Sequence, residues 1–207
     1  PLAWQGVLCH GPNRSSKVTF THPASFLKNW NGLPDPEEAA PAVIERYLSA
    51  YGPATPETFD AWLSRNSNKK STLKGWFASL GEQIVEVKVE DETRYLLAEH
   101  EDELAATRPS RATHLLGAFD QFVLGPGTKD THMLPSKHRS RVSKAAGWIA
   151  PVLTQGGRIT GVWEMDDGNL VVTPFPGEQA PPSKVLEDAA ARLAAVHGLV
   201  KVTLRAE

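Results

Sequence analysis

Residues 55–81 read TPETFDAWLSRNSNKKSTLKGWFASLG. Thr55-Pro56-Glu57-Thr58 carries the chemistry of a helix start, and Phe59, Trp62 and Leu63 recur at helical spacing as the inward face of a short helix that runs out near Arg65-Asn66. A second helix follows almost at once. Ser67 or Asn68 supplies its cap, Leu73, Trp76, Phe77 and Leu80 form its apolar face, and Gly81 ends it. Upstream, Asp35-Pro36-Glu37-Glu38 starts a further helix with an N-cap carboxylate, a first-turn proline and acids near the positive dipole end. Its apolar positions are Val43, Ile44, Tyr47 and Leu48, and Tyr51-Gly52-Pro53 stops it just past Ala50. Downstream, Ile84 to Val89 and Arg94 to Ala98 are β-prone around the polar tip Glu90-Asp91-Glu92-Thr93, the pattern of a hairpin. Three helices and a hairpin predict a winged helix-turn-helix domain over residues 34–106.

On either side the pattern changes. Residues 1–33 read as the end of a preceding, truncated winged-helix domain and its linker: two apolar stretches between Val7 and Phe20 flank the turn-rich Gly11-Pro12-Asn13-Arg14-Ser15-Ser16, and Trp30 to Pro36 is rich in glycine and proline. The chain opens at Pro1 without a methionine, so a missing N-terminal part is expected. After Glu99 to Glu103, the segment Arg108-Pro109-Ser110 marks a boundary by composition. Residues 107–207 are mostly β-prone. Strands are expected at Leu115 to Leu124, Trp148 to Leu153, Arg158 to Glu164, Leu170 to Phe175 and Leu199 to Leu204. Turns fall at Gln155-Gly156-Gly157 and Asp166-Asp167-Gly168-Asn169. One amphipathic helix, capped near Ser183 and stopped by Gly198, presents Val185, Leu186, Ala189, Leu193 and Val196. The expected fold class is α+β: a winged helix followed by a small β-rich, barrel-like domain with one packed C-terminal helix.

Composition narrows the class of function. With 207 residues, 41% hydrophobic and 22% charged, the chain suits a soluble globular protein of two domains. No apolar run approaches the roughly 20 residues that span a bilayer, and no basic-then-apolar leader opens the sequence, which points to the cytoplasm and to no membrane partner. Cys9 is the single cysteine, so no intrachain disulfide forms, and no Cys/His/Asp spacing suggests a metal or a cofactor. A net charge of -2 excludes a wholly basic, histone-like binder. Any contact with nucleic acid must rest on local patches.

Three stretches carry a family resemblance. They are Tyr51-Gly52-Pro53-Ala54-Thr55-Pro56-Glu57-Thr58-Phe59, then Leu115-Leu116-Gly117-Ala118-Phe119-Asp120, then Gly147-Trp148-Ile149-Ala150-Pro151-Val152-Leu153 with Gly157-Arg158-Ile159-Thr160-Gly161-Val162-Trp163. In content and order they resemble landmarks of the AlkZ-like, crosslink-repair DNA glycosylases. The resemblance covers nearly the whole chain, and its third landmark is the most specific. It implies a row of winged-helix domains followed by a β-rich C-terminal domain, and removal of alkylated or crosslinked purines from double-stranded DNA. Members carry a glutamine, apolar, glutamine motif near the N-terminus. No Gln-x-Gln triplet occurs in these 207 residues, so catalysis is not legible from them, and a non-catalytic regulator or protein-interaction scaffold stands as the alternative.

Two basic clusters are the candidate DNA contacts. Arg65, Lys69, Lys70 and Lys74, with no acid among residues 65–74, sit at the start of the helix that a winged helix offers to the major groove, although a solvated helix face explains the same lysines. Asn66 and Asn68 could read an adenine edge, and capping explains them at least as well. The second cluster, Lys137, Arg139, Arg141 and Lys144 with His138, lies in a long irregular stretch and suits a phosphate clamp, with Arg108 and Arg111 as extensions of the same surface. The hairpin and its exit are acidic at Glu82, Glu86, Glu90, Asp91, Glu92, Glu99, Glu101, Asp102 and Glu103 against Lys88 and Arg94. Such a wing repels phosphate and suits a protein partner.

Asp120, expected inside a strand, is a candidate polar site that orients an arginine or a water; closing a turn or a buried ion pair is the blander duty. His132 and His138 could face one another across a loop, though surface positions are the default for both. Gly125-Pro126-Gly127-Thr128-Lys129 lacks the phosphate-loop spacing. Trp76, Trp148 and Trp163 are expected in the core, and Cys9 lacks a base partner.

Overall fold

The side-chain pattern of residues 36–97 folds as helical and strand periods dictate. The computed structural model describes residues 2–166, 169–197 and 203–206. By its internal contacts the chain divides into two units, Pro1–Val43 and Ile44–Glu207. In the first, β1 (Cys9–His10) and β2 (Phe20–Thr21) pair antiparallel around the expected turn. Helix α1 (Pro36–Tyr51) starts where the Asp35 carboxylate accepts the Glu37 N–H at 2.8 Å, as the sequence predicts. Ile44, Tyr47 and Leu48 on this helix are fully buried.

Helix α2 (Pro56–Ser64) opens with a reciprocal cap: the Thr55 hydroxyl accepts the Thr58 N–H at 3.1 Å, and the Thr58 hydroxyl accepts the Thr55 N–H at 3.0 Å. Its inward face differs from expectation. Phe59 is buried, but Trp62 is 40% exposed and Leu63 is also exposed, because the helix turns Asp60 inward instead. Helix α3 (Lys70–Ser79) buries Leu73, Trp76 and Phe77, with Leu80 just beyond its end, as the period predicts. Gly81, at φ 51°, then reverses the chain. Strands β3 (Ile84–Val89) and β4 (Glu92–Leu97) pair in an antiparallel hairpin whose tip is Glu90-Asp91; Glu92 and Thr93 belong to the ladder.

A short helix α4 (Glu101–Ala106) leads to β5 (Thr113–Leu116). The expected strand Leu115 to Leu124 ends at Leu116. Phe119 takes a left-handed φ of 58°, and the Asp120 carboxylate accepts the Phe122 N–H at 2.8 Å to cap helix α5 (Gln121–Leu124). Helix α6 (Arg139–Val142) follows a 3-10 turn at Ser136–His138, so the basic stretch has its own helical structure. Strand β6 (Val152–Gln155) begins four residues after Trp148, because Ala146 and Gly147 turn through positive φ and keep that tryptophan out of the ladder. Gly156-Gly157, both at positive φ, make the expected two-residue turn into β7 (Arg158–Asp166). Strand β8 (Asn169–Pro174), helix α7 (Ser183–His197) and strand β9 (Thr203–Ala206) complete the order. The expected turn residues Asp167 and Gly168, the helix stop at Gly198 and the start of the last expected strand lie outside the described residues, as does the Val196 side chain.

The five strands run in the order β5-β6-β7-β8-β9, antiparallel except for the last pair. The sheet is covered on both faces, which the two-residue period makes visible. Leu153 and Trp163 point to one side with Leu186 and Ala190 of α7. Val152 and Val162, their chain neighbours, point to the other and meet Val123, Leu134, Val142 and Ile149 from the 121–149 segment. That segment is therefore one wall of a core. It is anchored to α1, where the buried Tyr47 hydroxyl donates to the Gly125 carbonyl at 3.0 Å. Gly125 lies so close to Tyr51 that a Cβ there would sit 2.2 Å from the ring. Gly125→Ala is therefore expected to destabilise the fold by about 1–3 kcal/mol, read by chemical denaturation; an unchanged midpoint would show that the ring moves aside freely.

Candidate nucleic-acid interface

The first basic cluster hangs on a buried carboxylate. Asp60 accepts the Ser64 hydroxyl at 2.5 Å, the Asn68 side-chain amide at 2.7 Å and the Asn68 N–H at 3.3 Å. Its carbonyl takes the Asn66 N–H at 3.2 Å. These bonds hold Arg65 and Asn66 in left-handed conformations, at φ 58° and 63°, and so fix the short turn between α2 and α3. Asn68 is consumed by this network, which corrects its expected role as helix cap. The N-cap of α3 is Lys69, whose side chain makes no capping hydrogen bond to the first N–H groups of the helix.

Arg65, Lys69, Lys70 and Lys74 are all exposed, and none forms an ion pair among the described residues. Lys70 and Lys74, one turn apart, share the edge of a cleft of about 500 Å³ whose other wall includes Glu86 and Tyr95 of the hairpin. Arg65 and Lys69 belong to the preceding turn.

Lys137, Arg139, Arg141 and Lys144 are likewise exposed and free of ion pairs among the described residues. Arg139 Nε donates to the Thr128 hydroxyl at 3.2 Å. Between them His138 is only 4% exposed and stacks on Phe175 with ring centroids 4.4 Å apart, while Leu134 and Val142 fill the core beneath. Burial, and then the charges of Lys137 and Arg141, push the His138 imidazole below its ordinary value and favour the neutral ring. Its Nε2 has no hydrogen-bond partner among the described residues. The default surface position therefore does not hold for His138, and it does not face His132. No hydrogen bond or ion pair among the described residues joins one basic cluster to the other.

Three residues of different expectation meet at the hairpin. Arg94 is 8% exposed and Asp130 7%, and they form an ion pair at 2.9 Å. The same guanidinium donates from Nε to Glu92 at 2.7 Å and from Nη2 to His132 Nδ1 at 2.8 Å. A guanidinium can only donate, so Nδ1 is the acceptor and the ring proton sits on Nε2, 3.4 Å from Glu90. Burial alone would raise the Asp130 carboxyl; the hydrogen bond and charge of Arg94, with the His132 N–H, outweigh it and hold the group below the ordinary carboxylate value. Arg94 is thus withdrawn from solvent. Lys88 donates to the Thr93 hydroxyl along the hairpin but stays exposed, so with Arg94 buried the exposed charge of the hairpin is mostly acidic.

Asp120 closes a turn as an N-cap and pairs with no arginine among the described residues. Trp76 and Trp163 are core residues as expected, but Trp148 is 52% exposed and meets Phe119 edge-to-face. Among the described residues no group of three or more His, Cys, Asp or Glu is placed to hold a metal, and no helix is long and apolar enough to cross a membrane.

With this geometry in place, comparison with known proteins decides the family. The family model described as AlkZ-like DNA glycosylase matches residues 1–196. The chain belongs to the AlkZ-like DNA glycosylase family. It is 55% identical over 206 residues to the interstrand DNA cross-link repair glycosylase of Streptomyces sahachiroi, covering 99% of this chain and 56% of that protein. It superposes on the solved structure of Streptomyces sahachiroi DNA glycosylase AlkZ with a TM-score of 0.95 at 54% identity, covering all of this chain and 56% of the other. The chain thus spans a little over half the length of the AlkZ it matches.

The stretches that carry the AlkZ-like resemblance are joints of the fold. Ala54 exchanges two backbone bonds with Tyr95, at 2.9 and 2.8 Å, tying the 51–59 stretch to the hairpin. The third landmark is the β6–β7 hairpin, where a Cβ on Gly161 would lie 2.7 Å from the Thr173 carbonyl. Breaking the buried pair by Arg94→Met is expected to cost about 3–5 kcal/mol, and adding Asp130→Leu to recover much of it, read by urea unfolding of the single and double variants. A double variant destabilised by the sum of the two single changes would contradict coupling. A second expectation concerns pH. A histidine whose folded value is depressed contributes stability above its ordinary 6.5 and loses it as pH falls below that value. The wild type should therefore lose melting temperature below pH 6.5 relative to His138→Phe, and parallel pH curves would refute this.

Proposed function

We propose that this chain is the DNA-holding part of a DNA-repair glycosylase, gripping double-stranded DNA by its phosphates through Lys137, Arg139, Arg141 and Lys144, with Arg65, Lys69, Lys70 and Lys74 as a second grip. The observation that carries this reading is the segment between Asp130 and Glu164. It holds no acidic residue, and its four clustered cations stand exposed and unpaired among the described residues on a helical wall of the core. Such a patch gives local attraction to phosphate although the net charge is -2. Family membership supplies the class of target: the relative from Streptomyces sahachiroi is a glycosylase for interstrand DNA cross-links. We extend to this protein the removal of alkylated or crosslinked purines.

The architecture supports the same reading. Residues 34–106 are a winged helix-turn-helix domain, with α3 as the helix offered to the groove and its N-terminus toward a phosphate. Residues 107–207 are a β-rich, barrel-like body, and residues 1–33 the end of a preceding winged-helix domain. The β3–β4 wing, with Arg94 withdrawn and its acids outward, turns away from DNA toward a protein partner. A cytoplasmic location fits this reading.

The triple variant Lys137→Ala, Arg139→Ala, Arg141→Ala tests the grip. Removing one phosphate-neutralising cation should flatten the slope of log affinity against log salt by about 0.9, so the triple change should flatten it by roughly 2–3. Titration of a labelled duplex at several salt concentrations reads this. An unchanged slope would remove these residues from the interface.

A further inference from the structure

Phe119 and Trp148 belong to different segments, stand 42% and 52% exposed, and meet edge-to-face with ring centroids 5.0 Å apart at 85°. Both are held outward by backbone. Phe119 occupies the left-handed region at φ 58°, a costly conformation for an aromatic residue, and Asp120 locks the chain after it by capping α5. Trp148 follows the positive-φ pair Ala146 and Gly147, and its carbonyl accepts the Lys144 N–H at 2.8 Å. A fold that spends local strain to keep two large apolar rings in water has put them there for a contact.

The surroundings identify the contact. Gly117, Ala118, Ala145, Ala146 and Gly147 are small, and the spaces beside Gly117 and Gly147 are open, so a flat group can reach the rings. An apolar protein partner would call for more aliphatic surface than these residues offer. The chain beside Trp148 is the acid-free basic segment, with Lys144 bonded directly to it. Flat aromatic groups beside backbone anions are the chemistry of nucleic acid.

We infer that the Phe119–Trp148 pair is a stacking site for an unpaired nucleobase, exposed where the duplex is disrupted, while Lys144 and Arg141 hold the adjoining phosphates. This rests on the reading that the basic segment binds DNA, and it adds a preference for distorted over intact duplex. Stacking a base on an aromatic ring is sequence-tolerant, so the site responds to unpairing and not to base identity.

Fluorescence anisotropy of the 207-residue chain tests it, with a labelled paired duplex and the same duplex carrying one bulged adenine. The wild type should prefer the bulged duplex by on the order of tenfold. Trp148→Ala should abolish that preference and leave paired-duplex affinity and its salt slope unchanged, whereas Trp148→Phe should retain most of it. Equal wild-type affinities, or equal losses on both duplexes in Trp148→Ala, would overturn the stacking site while the phosphate grip stands. Absence of binding to either duplex would remove both. Self-association or a lowered melting temperature as the sole change in Trp148→Ala would show that the pair is a packing surface and would also overturn the inference.

Discussion

The guanidinium of Arg94 leaves the acidic hairpin, crosses to the loop before the basic segment and ends against the buried Asp130 carboxylate at 2.9 Å. Two charges withdrawn from water are tolerated only where their remaining hydrogen bonds are filled. Glu92 and His132 fill those of Arg94, and the His132 N–H fills one of Asp130. The pair ties the hairpin to the segment whose later residues form one wall of the core. It also removes the one arginine of the hairpin from any contact with phosphate. Charge is thereby sorted: acids outward on the hairpin, cations outward on the segment from Lys137 to Lys144.

Asp60 performs a parallel duty on a smaller scale. By accepting three hydrogen bonds from Ser64 and Asn68 it defines the turn on which Arg65 and Lys69 stand, without itself offering anything to solvent. In both places a buried acid sets backbone geometry and exposed cations carry the candidate chemistry. The basic side chains need no fixed partners, because phosphate attraction is governed by their local density and not by bond geometry.

The helices were legible in the sequence because burial there follows a short period: Leu73, Trp76 and Phe77 fall on one face by arithmetic alone. Gly156-Gly157 named its turn for a similar local reason. What stayed hidden involved partners distant in sequence or a single backbone torsion. Arg94 and Asp130 lie 36 positions apart and share no motif, and Arg94 in an acidic hairpin reads as a surface charge. The run from Leu115 to Leu124 is β-prone, yet one left-handed residue and one carboxylate cap at Phe119 and Asp120 convert its second half into a helix. Trp148 sits among apolar neighbours that suggest a core position, and positive φ at Ala146 and Gly147 places it in water. The basic residues themselves were visible; the buried His138 packed between them was not.

Hydrogen–deuterium exchange with and without duplex DNA tests the central claim most directly, since it reads the whole backbone at once. The account predicts new protection across residues 136–148, with weaker protection in the turn and first part of α3 at residues 65–74, and none on the β3–β4 hairpin. Protection confined to the hairpin, with residues 136–148 unchanged, would contradict it.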